Sequence, residues 1–275
     1  MTKLLLGLIG AGIQRSQSPA LHEEEGRQHG LQVHYQLIDL HRPDAALEAL
    51  PGLLAAVRLI GFGGLNITYP CKQAVIAHLD GFSDEAKRMG AVNTVVFHDG
   101  RAIGHNTDGS GWSWGFRRAL PDAKLDRVVL LGAGGAGSAI AHALMSLGAK
   151  NLTIIDQVPE RAAALAGQLK NARASTDLAG ALREADGLVH ATPVGMDKRP
   201  GMPFPAELLR PQLWISEVVY VPLETQLLKA ARKIGCAVMD GGHMNVGQAC
   251  RAFELFTGKQ ADVARVDAHF RRLAG

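Results

Sequence analysis

The chain has 275 residues, 47% of them hydrophobic, and a formal charge of +3. That is enough apolar content for a sizeable core in two modest domains, and the scattered Lys and Arg point to neither nucleic acid nor an anionic membrane as partner. Three cysteines without C-x-x-C spacing fit reduced thiols in a cytoplasm, and eleven histidines with no H-E-x-x-H or paired Cys/His spacing leave no metal motif. From the start, residues 4–9 are an apolar run too short to span a bilayer; it meets glycines rather than a cleavage site and reads as a first buried strand. Ser18, as N-cap ahead of Pro19, opens a helix over 18–30. A strand over 33–40, an Ala- and Leu-rich helix over 43–57, a short strand over 64–68 and a helix over 70–79 follow. Strands over 91–98 and 101–106 join at Asp99-Gly100, a hairpin signal that puts an antiparallel edge on this first sheet. The first unit ends near Asp108. A helix over 109–120 leads through a polar loop, 121–126, which is the best boundary candidate.

The segment 127–138, RVVLLGAGGAGS, organises the rest. A doubly buried strand over 128–131 runs into Gly132, Gly134 and Gly137 at G-x-G-x-x-G spacing, and a helix over 138–147 follows. Strand, glycine turn and helix make a pyrophosphate site: one glycine for the tight turn, one for close backbone approach, one for helix packing, with the helix N-terminus facing the phosphates. The next strand, 152–156, ends in Asp156, where an acid accepts bonds from ribose hydroxyls. Helices over 159–169, 178–185 and 223–234 alternate with strands over 172–175, 187–191, 214–219 and 236–240, which gives about six mainly parallel strands. The tail, 244–273, is helical.

Polar residues gather where strands end. Asn66, Thr68 and Lys72 share the corner of LNITYPCK, Asn93 sits in the apolar strand of GAVNTVV, and Asn106, Thr107 and Asp108 occupy GHNTDGSG. Taken singly, each has a bland explanation: a turn former for Asn66, a solvated first-turn lysine for Lys72, an N-cap for Asp108 and for Ser18. A buried Asn93 amide needs partners.

Taken together and in this order, NITYPCK, AVNTVV and GHNTDG ahead of a dinucleotide-binding unit closely resemble the shikimate dehydrogenase family. ATPVGM at 191–196, VVYVPLET at 218–225 and DGGHMNVGQACRAFELFTG at 240–258 extend the resemblance through nearly the whole chain. It implies a catalytic pair, Lys72 and Asp108. Oxidising a secondary alcohol removes a hydride from carbon and a proton from oxygen, and a neutral lysine accepts that proton. A carboxylate beside it favours the charged amine, so the role relies on desolvation or directional bonding. The resemblance further places the substrate carboxylate on Ser16 and Ser18, and the ring hydroxyls on Asn66, Thr68, Asn93 and Gln248, with Tyr220 beside them. Cofactor contacts fall on Gly132, Ala133, Gly134, Gly135, Ala136, Gly137, Asp156, Arg161, Thr192, Pro193, Val219 and Gly242.

Two departures from the family pattern matter. NADP-using members usually carry Asn-Arg-Thr after the second strand of the nucleotide domain, whereas this chain reads Asp156-Gln157-Val158. An acid there repels a 2′-phosphate, so NAD is expected rather than NADP, as in the quinate/shikimate dehydrogenase branch. Arg15 stands where histidine is common, and its reach to the substrate carboxylate is open.

The expected fold is α/β. A substrate domain, 1–108, is completed by helices of 240–275 returning to it, and a Rossmann-type dinucleotide-binding domain covers 109–239. The expected function is reversible, NAD-dependent oxidation of quinate or shikimate at the C3 hydroxyl by a cytoplasmic monomer or homodimer, with no nucleic acid, membrane or metal involved. An NADP-dependent shikimate dehydrogenase and a non-catalytic dinucleotide-binding regulator are the alternatives.

Overall fold

A computed structural model describes residues 2–41 and 46–274. The chain forms two α/β units, one running to Thr107 and resuming over Gln248–Leu273, the other comprising Asp108–Gly247.

In the first unit β1 (Thr2–Gly10), α1 (Ser18–Gln28), β2 (Leu31–Asp39), α2 (Leu50–Ile60), β3 (Phe62–Ile67), α3 (Cys71–Ala74), β4 (Gly81–Phe82), α4 (Asp84–Met89), β5 (Thr94–His98) and β6 (Arg101–His105) follow in order. Their sheet is ordered β2-β1-β3-β5-β6-β4. β1 pairs parallel with β2 and β3, β5 runs antiparallel to both of its neighbours, and β4 pairs parallel with β6. The hairpin turn forms as expected, because Asp99 (φ 48°) and Gly100 (φ 73°) both take the left-handed conformation that a two-residue connection requires. The reversed strand is internal, however, and not an edge. β4, only two residues long, adds outside β6 and takes the edge instead.

The start of the helix expected from Pro43 lies outside the described residues; within them a 3₁₀ turn, Leu47–Ala49, precedes α2. The helix expected over 70–79 is α only through Ala74 and continues as 3₁₀ over Val75–His78. Ser18 is the first residue of α1 rather than its cap; Gln17 holds the cap position, and no side chain caps the helix there.

The second unit contains α5 (Asp108–Ala119), β7 (Arg127–Leu131), α6 (Gly135–Ser146), β8 (Asn151–Ile155), α7 (Pro159–Ala166), β9 (Ala172–Ala174), α8 (Leu178–Glu184), β10 (Gly187–His190), β11 (Trp214–Glu217), α9 (Gln226–Ile234) and β12 (Ala237–Met239). Its sheet is parallel throughout, ordered β12-β11-β10-β7-β8-β9, the doubly wound order in which the chain reverses direction beside β7. The strands are apolar because both faces are covered. Trp112, Phe116, Ile140, Leu144 and Leu165 pack on one side, and Leu182, Leu209, Leu227 and Leu228 on the other.

α10 (Gly241–Thr257) is one continuous helix, followed by α11 (Val263–Ala274). Its first turns belong to the second unit, so residues 240–247 do not return to the first as expected. A Cβ on Gly247 would lie 2.4 Å from the Gly111 carbonyl, so α10 and α5 meet at backbone contact through small residues. The expected boundary loop, 121–126, does not divide the units either, since Trp112, Phe116 and Leu120 of the preceding segment lie in the same core as β7 and α6. From Gln248 onward α10 packs in the first unit, where Ala252 and Phe256 cover Leu6, Leu8 and Tyr35. Among the described residues no helix is long and apolar enough to cross a membrane.

Candidate active site

In the first unit the polar residues form a continuous hydrogen-bonded chain. Ser16 Oγ donates to Ser18 Oγ over 3.1 Å, and Ser18 bonds the Tyr35 hydroxyl. Tyr35 then donates to Asn66 Oδ1 at 2.7 Å, and Asn66 Nδ2 donates to Thr94 Oγ1 at 3.1 Å. Thr94 donates to Asn93 Oδ1 at 2.9 Å, and Asn93 Nδ2 reaches Thr107 Oγ1 at 3.0 Å. The Thr107 amide closes back onto Asn93 Oδ1 at 2.8 Å. Strand pleating explains why side chains from β2, β3 and the start of β5 share one face.

Asn66 lies inside β3 and is no turn former. Asn93, expected within a strand, precedes β5, and its buried amide finds the partners it needs. Burial pushes the Tyr35 phenol far above the usual range, so the ring carries a neutral hydroxyl that donates.

Lys72 belongs to the first unit, and Asp108 opens the second. The Lys72 carbonyl accepts the amide of Val92, the neighbour of Asn93, at 2.9 Å, and Asp108 follows Thr107 directly as the first residue of α5. Asp108 is buried and Lys72 partly buried. Thr68, partly buried at the end of β3, is held by its amide on the Ile9 carbonyl. Gln248 is partly buried on α10, and Asn106 is occupied by the Ala91 carbonyl. Arg15 is exposed, as is Tyr220 at 39%.

In the second unit the glycines do three different jobs. Gly132 has φ +108°, a conformation open to glycine but not to other residues, and its amide bonds the Ile155 carbonyl. A Cβ on Gly137 would fall 1.9 Å from the Gly132 carbonyl, so α6 packs on the turn with no room for a side chain. Gly134 and Gly135 face open space at the N-terminus of α6. They leave backbone amides uncovered where a pyrophosphate fits.

Asp156 belongs to this cradle. Its Oδ2 accepts the Ala133 amide at 2.7 Å and its Oδ1 the Val158 amide at 2.8 Å. Each oxygen keeps a lone pair for a ribose hydroxyl. Ala136 lies in the first turn of α6, Arg161 is exposed on the first turn of α7, and Thr192 and Pro193 follow β10. Val219, two residues past β11, and the start of α10 are in contact, since a Cβ on Gly241, next to Gly242, would meet the Val219 carbonyl at 2.5 Å. These residues suit a dinucleotide.

The sequence reading missed Tyr35, Thr94 and, behind Thr192 and Val219, the buried pair His190 and Glu217. The signal for Tyr35 was faint. It is one aromatic in an alternating strand, and only its contact with Asn66, 31 residues on, sets it apart.

The geometry has counterparts. The family model for the shikimate dehydrogenase substrate-binding domain matches residues 8–95, and that for shikimate/quinate 5-dehydrogenase matches residues 116–195. A shikimate dehydrogenase (NADP(+)) of Streptomyces avermitilis is 58% identical, over 98% of this chain and 96% of its own. A quinate/shikimate dehydrogenase (NAD(+)) of Corynebacterium efficiens is 46% identical, over 98% of both chains. Among solved structures, a quinate dehydrogenase from Corynebacterium glutamicum in complex with NAD superposes with a TM-score of 0.95 at 44% identity, covering 99% of this chain and 100% of its own.

Proposed function

The chain belongs to the shikimate dehydrogenase family, and from that premise we propose that it oxidises quinate or shikimate, reversibly and with NAD, at the C3 hydroxyl. At the coarser level it is a shikimate/quinate dehydrogenase working with a nicotinamide dinucleotide. The observation that carries the choice of NAD is the carboxylate of Asp156, fixed by two backbone amides beside the glycine turn. A 2′-phosphate would meet a charge that cannot swing away.

A bound nicotinamide ring supplies the acceptor for the hydride leaving the substrate carbon. The chain's own residues do the rest. Lys72 takes the hydroxyl proton on its Nζ and returns it in the reverse direction, and Asp108 orients amine and hydroxyl. Ser16 and Ser18 hold the carboxylate. Asn66, Thr68, Asn93 and Gln248 bond the ring hydroxyls, with Tyr220 beside them. Because the Asn66 and Asn93 side-chain amides are already hydrogen-bonded within the unit, they have little freedom left to lose on binding.

The second reading, an NADP-dependent shikimate dehydrogenase, is favoured by the Streptomyces avermitilis relative at 58% identity. Initial rates for quinate and shikimate, each with NAD and NADP, separate the two. Turnover with NAD at least tenfold better in kcat/KM supports the proposal, and a preference for NADP installs the alternative. Absence of turnover in all four arms leaves the non-catalytic regulator.

A further inference from the structure

Behind the turn that follows β10 lies a buried relay that the reaction as described leaves unused. His190 and Glu217, the last residues of β10 and β11, are both fully buried. Glu217 Oε1 accepts the amides of Val218 at 2.9 Å and Val219 at 3.0 Å and stands 2.9 Å from His190 Nδ1. Its Oε2 accepts the Thr225 hydroxyl at 3.1 Å. A carboxylate only accepts, so Nδ1 carries the proton that faces it. His190 Nε2 then meets the Thr192 hydroxyl at 2.5 Å, and that hydroxyl also accepts the Val194 amide at 3.3 Å.

Hydroxyl, imidazole and carboxylate in this order are also the parts of an activated nucleophile. Here the same groups hold three backbone amides of two loops, which is the work of a brace. The loops have a defined place. β7 lies between β8, which ends beside Asp156, and β10 with β11. With the pyrophosphate at α6 and the adenosine ribose at Asp156, the other half of an extended dinucleotide lies over the ends of β10 and β11. There the tolerances are small: a Cβ on Gly132 would sit 3.1 Å from Thr192 Cγ2, and one on Gly241 2.5 Å from the Val218 carbonyl.

We propose that His190 and Glu217 are positioning residues that lock Thr192 and Val219 into a seat for the nicotinamide half of the cofactor. The proposal rests on the dehydrogenase reading above. The relay spans only these loops, so its loss spares the adenosine half.

The test measures ADP-ribose affinity, kcat, and the deuterium isotope effect with substrate labelled at the oxidised carbon, in the parent and in His190→Leu. The expected result is ADP-ribose affinity within twofold of the parent, kcat down roughly tenfold to a hundredfold, and a larger isotope effect, because a loosely held ring slows the hydride step itself. Should His190→Leu fail to fold, Thr192→Val cuts the relay at its outer end and Thr192→Ser restores it. The double variant, where it folds, loses no more than the worse single one if the parts act as a unit. Unchanged kcat in His190→Leu or in Thr192→Val, multiplied losses in the double variant, or ADP-ribose affinity falling in step with kcat overturns the proposal. A parent that binds neither ADP-ribose nor NAD overturns the dehydrogenase reading first, and the proposal with it.

Discussion

The Tyr35 hydroxyl donates to Asn66 Oδ1 over 2.7 Å and so decides which way the Asn66 amide faces. With Oδ1 taken by the phenol and Nδ2 directed at Thr94, the amide cannot turn over without breaking both bonds. Tyr35→Phe removes the donor and strands a partly buried acceptor, a loss of about 1–2 kcal/mol. The expected outcome is a lower Tm together with a substrate KM raised severalfold, while the KM for NAD stays put. A parent-like substrate KM would separate Asn66 from the ring hydroxyls.

Lys72→Ala is expected to lower kcat by about a hundredfold or more, since positioned acid–base groups contribute roughly 10² to 10⁴. NAD affinity, followed by fluorescence titration, is expected to hold. Near-normal kcat would take Lys72 out of the mechanism.

Under the NAD reading proposed above, Asp156→Ser with Gln157→Arg takes away an acceptor for a ribose hydroxyl and adds a partner for a phosphate. The NAD:NADP ratio of kcat/KM is expected to fall by at least tenfold, about 1.4 kcal/mol, and to narrow or reverse the parent's preference. A ratio unmoved by the double change would mean that the carboxylate does not touch the ribose.

His22 makes an acid-sensitive point in the fold. Its ring stacks on Tyr35 with centroids 4.9 Å apart, and its Nδ1 has no hydrogen-bond partner among the described residues. Burial lowers its pKa from 6.5 to about 4, with Glu25 opposing. Between those values, as pH falls, the unfolded chain takes up a proton that the folded chain refuses. Stability is therefore lost through that window, by roughly 3 kcal/mol at its lower end, and the His22 slope fades out by about pH 7.5. Urea midpoints of His22→Phe across pH 4–7 should fall less steeply than the parent's. Parallel curves would place the acid lability elsewhere.

What the sequence made legible was local. The glycine turn, Asp156 and the Asp99-Gly100 hairpin are all read from neighbours within one supersecondary unit. Interior placement of β5 was not legible, because a turn signal pairs two strands without saying what lies beyond them, and a two-residue β4 has no period to read. Tyr35 and His190 were missed for a related reason. In an apolar strand a lone aromatic or histidine looks like packing, and only partners 31 and 27 residues away give it another role. The continuous α10 defeated the boundary at 240 because helical periodicity carries no mark of which core a given turn joins.

The chain closes its first unit late. Phe253, which stacks on His22, Phe256, whose ring lies tilted against it, and Arg265, which binds Glu25 through two nitrogens, lie in the segment Gln248–Leu273. A ribosome must therefore finish the entire dinucleotide unit before the hydroxyl array of the first can be backed. The order of maturation is inverted: the earlier-made unit keeps an open apolar face, exposed to chaperones and proteases, until the segment that covers it emerges.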